Sequence, residues 1–134
     1  MKKKIVLIEG VYDTIDLFTG EIKKALEQMG CECLVLDAGH MEESLKEFAL
    51  FATTPFFAAI TFNNLGYNLE LPEGKNIWEQ FEIPYVNILM DHPFHYTGPL
   101  AHMPKTAWVF CTDKNHVDFM HRFYPEIERV GFLP

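Results

Sequence analysis

Asp91, His92 and His95 follow an apolar run of strand length, Val86-Asn87-Ile88-Leu89-Met90. A carboxylate beside a neutral imidazole can accept and pass on a proton near neutral pH, which is the chemistry of a general base. An apolar run bounded by turn signals reads as a strand buried on both faces of a parallel sheet. Asp91 and His92 then sit at its carboxyl end, where open α/β sheets place their ligands. A purely structural reading competes with this one, in which Asp91 caps the loop and Pro93 stops the strand. Other polar residues end predicted strands in the same way: Glu9-Gly10, Asn63-Asn64 and Asp113. Parallel strands present all such ends on one edge, so these residues, with Tyr12 and His95 from the adjoining loops, are the candidate ligand contacts.

The remaining chemistry-bearing residues are less ordered. Five histidines, His92, His95, His102, His116 and His121, fall in the last third of the chain. His92 and His95 are three apart, but Pro93 between them opposes the helix that metal ligation at that spacing would need. No metal site is expected, and His116 and His121 are assigned to the surface or edge of the last helix. Cys31, Cys33 and Cys111 form neither a disulfide framework nor a zinc pattern, and Cys31 and Cys33 read as buried free thiols on one side of a strand. The first loop, Glu9-Gly10-Val11-Tyr12-Asp13-Thr14, holds one glycine where a dinucleotide fingerprint needs three, and it lacks a P-loop lysine. Asp37 stands where a ribose-binding acid would, without the glycines that would give it a cofactor to hold. No cofactor is expected. A receiver domain is excluded too, because Asn63 occupies the position of the phosphorylated aspartate and the acidic pair is reduced to Glu9. Tyr67, Phe94 and Tyr96 fall in loops near the ligand edge, where their faces could stack on a sugar or base or pack a long loop.

These residues need a scaffold, and the patterning supplies one. Strands are predicted over Lys4 to Glu9, Glu32 to Asp37, Phe56 to Phe62, Val86 to Met90, Thr106 to Cys111 and Ile127 to Gly131. Helices are predicted from Asp13 or Thr14, as cap, to Met29, from Met41 to Ala52, over Asn76 to Phe81 and, capped by Asp113, from Lys114 to Phe123. Gly30 stops the first helix, whose Ile15, Phe18, Ile22, Ala25, Leu26 and Met29 form an apolar stripe. His95 to Lys105 reads as a loop or a short helix. Alternating strands and helices of these lengths predict an α/β, three-layer Rossmann-like domain with a six-stranded parallel sheet. The expected order is 3-2-1-4-5-6, which places the site between the loops after strands one and four, with Asn63 and Asn64 nearby.

Size and charge bound the rest. A chain of 134 residues with 49% hydrophobic and 22% charged content can bury a core as one domain. A net charge of −8 without a basic stripe beyond Lys2 to Lys4 argues against nucleic acid as a partner. No apolar run approaches the roughly 20 residues of a membrane helix. Ile5 to Ile8 is cut off by Glu9-Gly10 too early for a signal peptide, so a cytoplasmic location is expected.

Three segments carry a resemblance: Ile60-Thr61-Phe62-Asn63-Asn64-Leu65-Gly66, Ile83-Pro84-Tyr85-Val86 with Met90-Asp91-His92-Pro93, and Cys111-Thr112-Asp113-Lys114-Asn115-His116-Val117. Over residues 56–134 the chain resembles the amino-terminal domain of GT-B glycosyltransferases of the CgeB-like, spore-maturation kind. The resemblance implies an acceptor-side domain of an enzyme that moves a sugar from a nucleotide-sugar donor to an acceptor, without a bound metal. It also implies a missing carboxyl-terminal domain that holds most of the donor contacts, so the chain alone would not turn over. In that setting Asp91, His92 or His95 would be the base. The ending Gly131-Phe132-Leu133-Pro134, directly after a strand, is what the amino-terminal half of a two-domain enzyme would show. The competing expectation is a stand-alone, non-catalytic Rossmann-like binding or interaction domain, since no catalytic motif is complete.

Overall fold

A computed structural model of the chain describes residues 2–134. The strands are β1 (Lys4–Glu9), β2 (Glu32–Asp37), β3 (Ala58–Phe62), β4 (Tyr85–Leu89), β5 (Ala107–Cys111) and β6 (Val130–Phe132). The helices are α1 (Asp13–Gln28), α2 (Met41–Phe51), α3 (Ile77–Gln80), α4 (Thr97–Ala101) and α5 (Lys114–Phe123). Short 3-10 turns, Ala38–His40 and Pro93–Tyr96, lead into α2 and α4, so the stretch His95 to Lys105 is partly helical. Among the described residues no helix is long and apolar enough to cross a membrane.

All six strands form one parallel sheet, and the fold is Rossmann-like α/β. The order is 2-1-3-4-5-6, which corrects the expected 3-2-1-4-5-6. Both orders satisfy right-handed crossovers, but they place α2 differently. With β3 beyond β2, the α1 and α2 crossovers run in one direction and share a face, and α3 lies on the other. Here Phe48 of α2 packs on Phe81 and Trp78 beside and within α3, with ring centroids 5.6 and 6.3 Å away. That cluster requires α2 and α3 on one face, and β3 then lies against β1, where Ile5, Val6 and Leu7 oppose Ala58, Ala59 and Ile60.

The helices are distributed unevenly. Val6, Ile8, Leu36, Ala59 and Tyr85 meet Phe48, Ile77 and Trp78 on one face. Leu89, Val109 and Cys111 continue that face and meet Leu100 of α4 and Met120 of α5. The opposite face, with Ile5, Leu7, Ala58, Phe62 and Ile88, is packed by one of the described helices, α1, through Ile15, Ile22 and Leu26, with Leu65 of the loop after β3 beside them.

Local signals explain the element ends. At the end of α1 Gly30 takes φ +89°, while its N–H donates to the Glu27 carbonyl and that of Cys31 to the Leu26 carbonyl. This is a Schellman stop, in which a left-handed residue lets two orphan carbonyls be satisfied. The start of α1 differs from the expected Asp13 or Thr14 cap. The helix begins at Asp13, Tyr12 holds the capping position without a side-chain bond, and Asp16 accepts the Gly10 N–H at 2.8 Å. Asp113 caps α5 as expected, accepting from the Asn115 N–H at 2.8 Å. Cys31 and Cys33 are half-buried rather than buried, since β2 is an edge strand.

Candidate functional site

With β1 between β2 and β3, the chain direction reverses between β1 and β3, and ligand crevices form where such loops diverge. The reversal therefore lies one strand closer to β1 than the expected strand-one/strand-four position. A cavity of about 630 Å³ opens at this carboxyl edge, lined by Tyr12, Thr14, Ile15 and Phe18 from the start of α1, Asn63 after β3, and Met90, Asp91 and Tyr96 after β4.

The turn after β3 sets the geometry. Asn63 and Asn64 both adopt left-handed backbone, φ 47° and 66°, which asparagine tolerates better than most residues. Two amide exchanges hold that conformation. Asn64 is buried against Asn87, donating its N–H to Asn87 Oδ1 at 2.9 Å and accepting from Asn87 Nδ2 at 2.7 Å. Asn63 Oδ1 accepts the Met90 N–H at 2.8 Å and so ties the end of β3 to that of β4. The remaining amide nitrogen of Asn63 points to Asp91, with Nδ2 3.5 Å from Oδ2.

Asp91 is exposed at the crevice. The Tyr96 hydroxyl donates to its Oδ2 at 2.9 Å, and Oδ1 has no hydrogen-bond partner among the described residues. Burial, then the bond to Asp91 and its charge, push the Tyr96 hydroxyl well above the ordinary phenol range, so Tyr96 stays a donor. One carboxylate oxygen is thus held in place, the other is without a partner among the described residues, and the residue lines the cavity. Phe18 supplies an apolar wall and leans on Phe62 with centroids 6.0 Å apart. None of the lining residues carries a positive charge.

The other predicted site residues share this edge of the sheet but do not line the cavity. His92 caps the Pro93–Tyr96 turn, its Nδ1 accepting the Phe94 N–H at 3.0 Å. Its ring lies against His116 and Phe119, with centroids 4.6 and 4.8 Å away. His116 is correspondingly half-buried, and His121 is exposed. His95 is exposed beside Phe94 and Tyr96. Asp113 is occupied as the α5 cap, and Asn64 lies beneath the floor of the turn.

Gly10 takes φ +103° and a Cβ there would stand 2.1 Å from Asp37 Oδ1, so this glycine serves close packing of two loops. Asp37 in turn accepts the Gly39 N–H at 2.8 Å and meets His40 Nδ1 at 3.2 Å. These bonds, the Gly39 N–H first, hold its carboxyl below the ordinary range. Asp37 thus folds its own turn. Of the aromatic residues read from the loops, Tyr96 lines the cavity, Tyr67 packs into the core beside Trp78, and Phe94 is exposed. Phe18 was legible only as part of the α1 core stripe, and nothing in the periodicity distinguishes the stripe residue that overhangs the edge.

No protein-family model, curated protein or solved structure matches the chain.

The chemistry available here is that of a fixed carboxylate with aromatic walls. Among the described residues no group of three or more His, Cys, Asp or Glu is arranged to hold a metal ion. Two of the three thiols are disfavoured as nucleophiles: burial pushes Cys111 up to about 11 and raises Cys33 as well. Glu9 lies beside the site rather than in it. Burial first, then the charges of Asp16 and Asp37, raise its carboxyl above the ordinary range, against an opposing effect from Lys23. A carboxyl whose folded pKa exceeds its unfolded value costs stability once ionised. The cost is absent at low pH and grows as pH rises through the unfolded and then the folded pKa. Glu9→Gln is therefore expected to raise Tm at pH 7 and to leave it unchanged near about pH 3. Thermal melts at the two pH values check this, and an equal Tm at pH 7 would show that the ionised carboxylate is not disfavoured.

Proposed function

We propose that this chain is the acceptor-side, amino-terminal domain of a GT-B-type glycosyltransferase, and that the crevice beside Asp91 holds the acceptor hydroxyl. The observation that carries the reading is the makeup of that crevice: one carboxylate with a free oxygen, aromatic side chains from Tyr12, Phe18 and Tyr96, and no cation. A phosphate-bearing ligand would seek cations, which this crevice lacks, and the first turn of α1 beside it carries the carboxylates of Asp13 and Asp16. A hydroxylated ring instead finds an acceptor for its O–H and apolar faces for its C–H surface. The resemblance over residues 56–134 points the same way.

In this reading Asp91 Oδ1 takes the proton of the acceptor hydroxyl as its oxygen bonds to the anomeric carbon of the donor sugar. The bond from that carbon to the nucleotide phosphate breaks, and the phosphate leaves with the electron pair. Tyr96 and Asn63 are positioning residues that hold Oδ2. The donor is bound by a second domain, and His92, engaged as a turn cap, takes no proton.

The test is ligand binding by the 134-residue chain, followed residue by residue by NMR. Neutral mono- and disaccharides are expected to bind weakly, with Kd of about 1 mM or above, and to shift the resonances of Tyr12, Phe18, Asn63 and Tyr96. Nucleotide sugars are expected to shift the same residues only through their sugar. Tight stoichiometric binding of a nucleotide sugar, or saccharide shifts confined to other surfaces, would overturn the assignment.

A further inference from the structure

The sheet order has a consequence for its second face. In a right-handed parallel fold, every crossover that advances in the same direction places its helix on the same side. From β2 onward all four crossovers advance toward β6, and only the β1–β2 step runs backward. Among the described residues the topology itself therefore leaves α1 as the only helix on one face. Strands lie about 4.8 Å apart and a helix with its side chains is about 10 Å wide. α1 covers β2, β1 and β3 and reaches Ile88 of β4 through Ile15, and it leaves a strip over the start of β4 and over β5 and β6 wide enough for one more helix.

That strip is apolar and open. Trp108 of β5 is 40% exposed and Phe57, before β3, is 56% exposed. Val86 and Phe110 are half-buried between them. Phe110 lies flat because Gly131 of β6 has no Cβ to lift it; one there would come within 2.8 Å of the ring. A groove of about 440 Å³ runs beside α1 along the same face, floored by Ile5, Ala58, Ile60 and Val86.

Three cations stand at the rim of this face. Lys2 and Lys3 line the groove, with Lys3 Nζ 4.6 Å from the centre of the Phe57 ring. Arg129 lies over Trp108, its guanidinium carbon 5.4 Å from the ring centre. No carboxylate lines the groove, although the chain as a whole carries −8. An exposed apolar patch rimmed by charge marks an interaction surface, and complementary charge sets the preferred partner.

We propose that the open face over β4 to β6 docks an amphipathic helix of a partner polypeptide, its apolar stripe on Val86, Trp108 and Phe110 and its acidic flank on Lys2, Lys3 and Arg129. Such a helix would present apolar residues at i, i+3, i+4 and i+7, with Glu or Asp beside them. The proposal does not depend on the crevice at Asp91, which lies at the carboxyl edge of the sheet.

The probe is a synthetic helical peptide with a Leu/Ile stripe and Glu flanks, compared with the same stripe carrying Lys flanks. Trp78 is fully buried, so a change in tryptophan emission on binding reports Trp108. The Glu peptide is expected to shift that emission to shorter wavelength, to bind about tenfold more tightly than the Lys peptide at low salt, and to lose most of that margin at 1 M salt. The surface variant Lys2→Glu/Lys3→Glu/Arg129→Glu, in which no core side chain changes, is expected to reverse the preference. Equal binding of both peptides, binding of neither, or a concentration-dependent self-association that buries Trp108 would overturn the proposal.

Discussion

Trp78→Ala is expected to remove about 3–5 kcal/mol of folding stability, the usual range for deleting a buried tryptophan. Trp78 is fully buried although α3 is only four residues long. Asn76 holds that short helix in place, its side chain accepting the Trp78 and Glu79 N–H groups. The indole stacks on Tyr85 at 5.7 Å and meets the edge of Phe48 at 6.3 Å. Its Nε1–H donates to the Gly66 carbonyl at 2.7 Å. Truncation opens a cavity between α2, α3 and the sheet and leaves that carbonyl unpaired, which adds a desolvation cost. Small domains have only about 5–15 kcal/mol in total, so the variant should be at the edge of folding at 37 °C. Urea denaturation followed by circular dichroism measures the loss directly. Trp78→Phe, which keeps most of the volume and loses the bond, should cost less than half as much. A loss below about 1 kcal/mol for Trp78→Ala would mean that the aromatic cluster does not anchor α2 and α3 to the sheet.

If the proposed two-domain transferase is assembled, Asp91→Asn is expected to cut its turnover by about 10²-fold or more, the scale of lost general-base assistance. The substitution is close to isosteric. The Asn side-chain oxygen can still accept from Tyr96, so the cavity keeps its shape while the site loses its proton acceptor. Acceptor binding should therefore change little, and the loss should appear in kcat rather than in KM. Steady-state kinetics with the acceptor varied separates the two. A variant that retains full kcat would assign Asp91 to binding or to the turn after β4, and the proposed proton transfer would be wrong.

Much of the scaffold was legible because burial leaves a periodic trace. Four-residue apolar runs such as Ile5 to Ile8 read as strands buried on both sides, and the α1 stripe read as a helix on a sheet. Gly30 announced its own stop, since a helix end in left-handed conformation favours glycine. That Asp91 and Asn63 share one edge of the sheet was legible for a similar reason. Polar residues that end buried strands of a parallel sheet must emerge on one edge, and these two emerge beside each other.

What the sequence could not decide was which elements are neighbours. Periodicity records how deeply a residue is buried and not by what, and the orders 3-2-1-4 and 2-1-3-4 differ locally only in whether β3 or β2 is the edge strand, which the apolar runs of both strands leave undecided. The choice falls to contacts between residues about 30 apart, Phe48 with Trp78 and Phe81, which hold α2 and α3 on one face. The same limit applies within the site. His92, His95, Asp113, Glu9 and Asn64 are as polar, and as close to strand ends, as Asp91. Their side chains are turned to a helical cap, to solvent, to a second cap, to neighbouring carboxylates and to Asn87 by turn geometries that only the assembled loops define. The open face over β4 to β6 has the same origin: its residues carry the apolar pattern of a covered strand, and only the handedness of four successive crossovers leaves them without a helix.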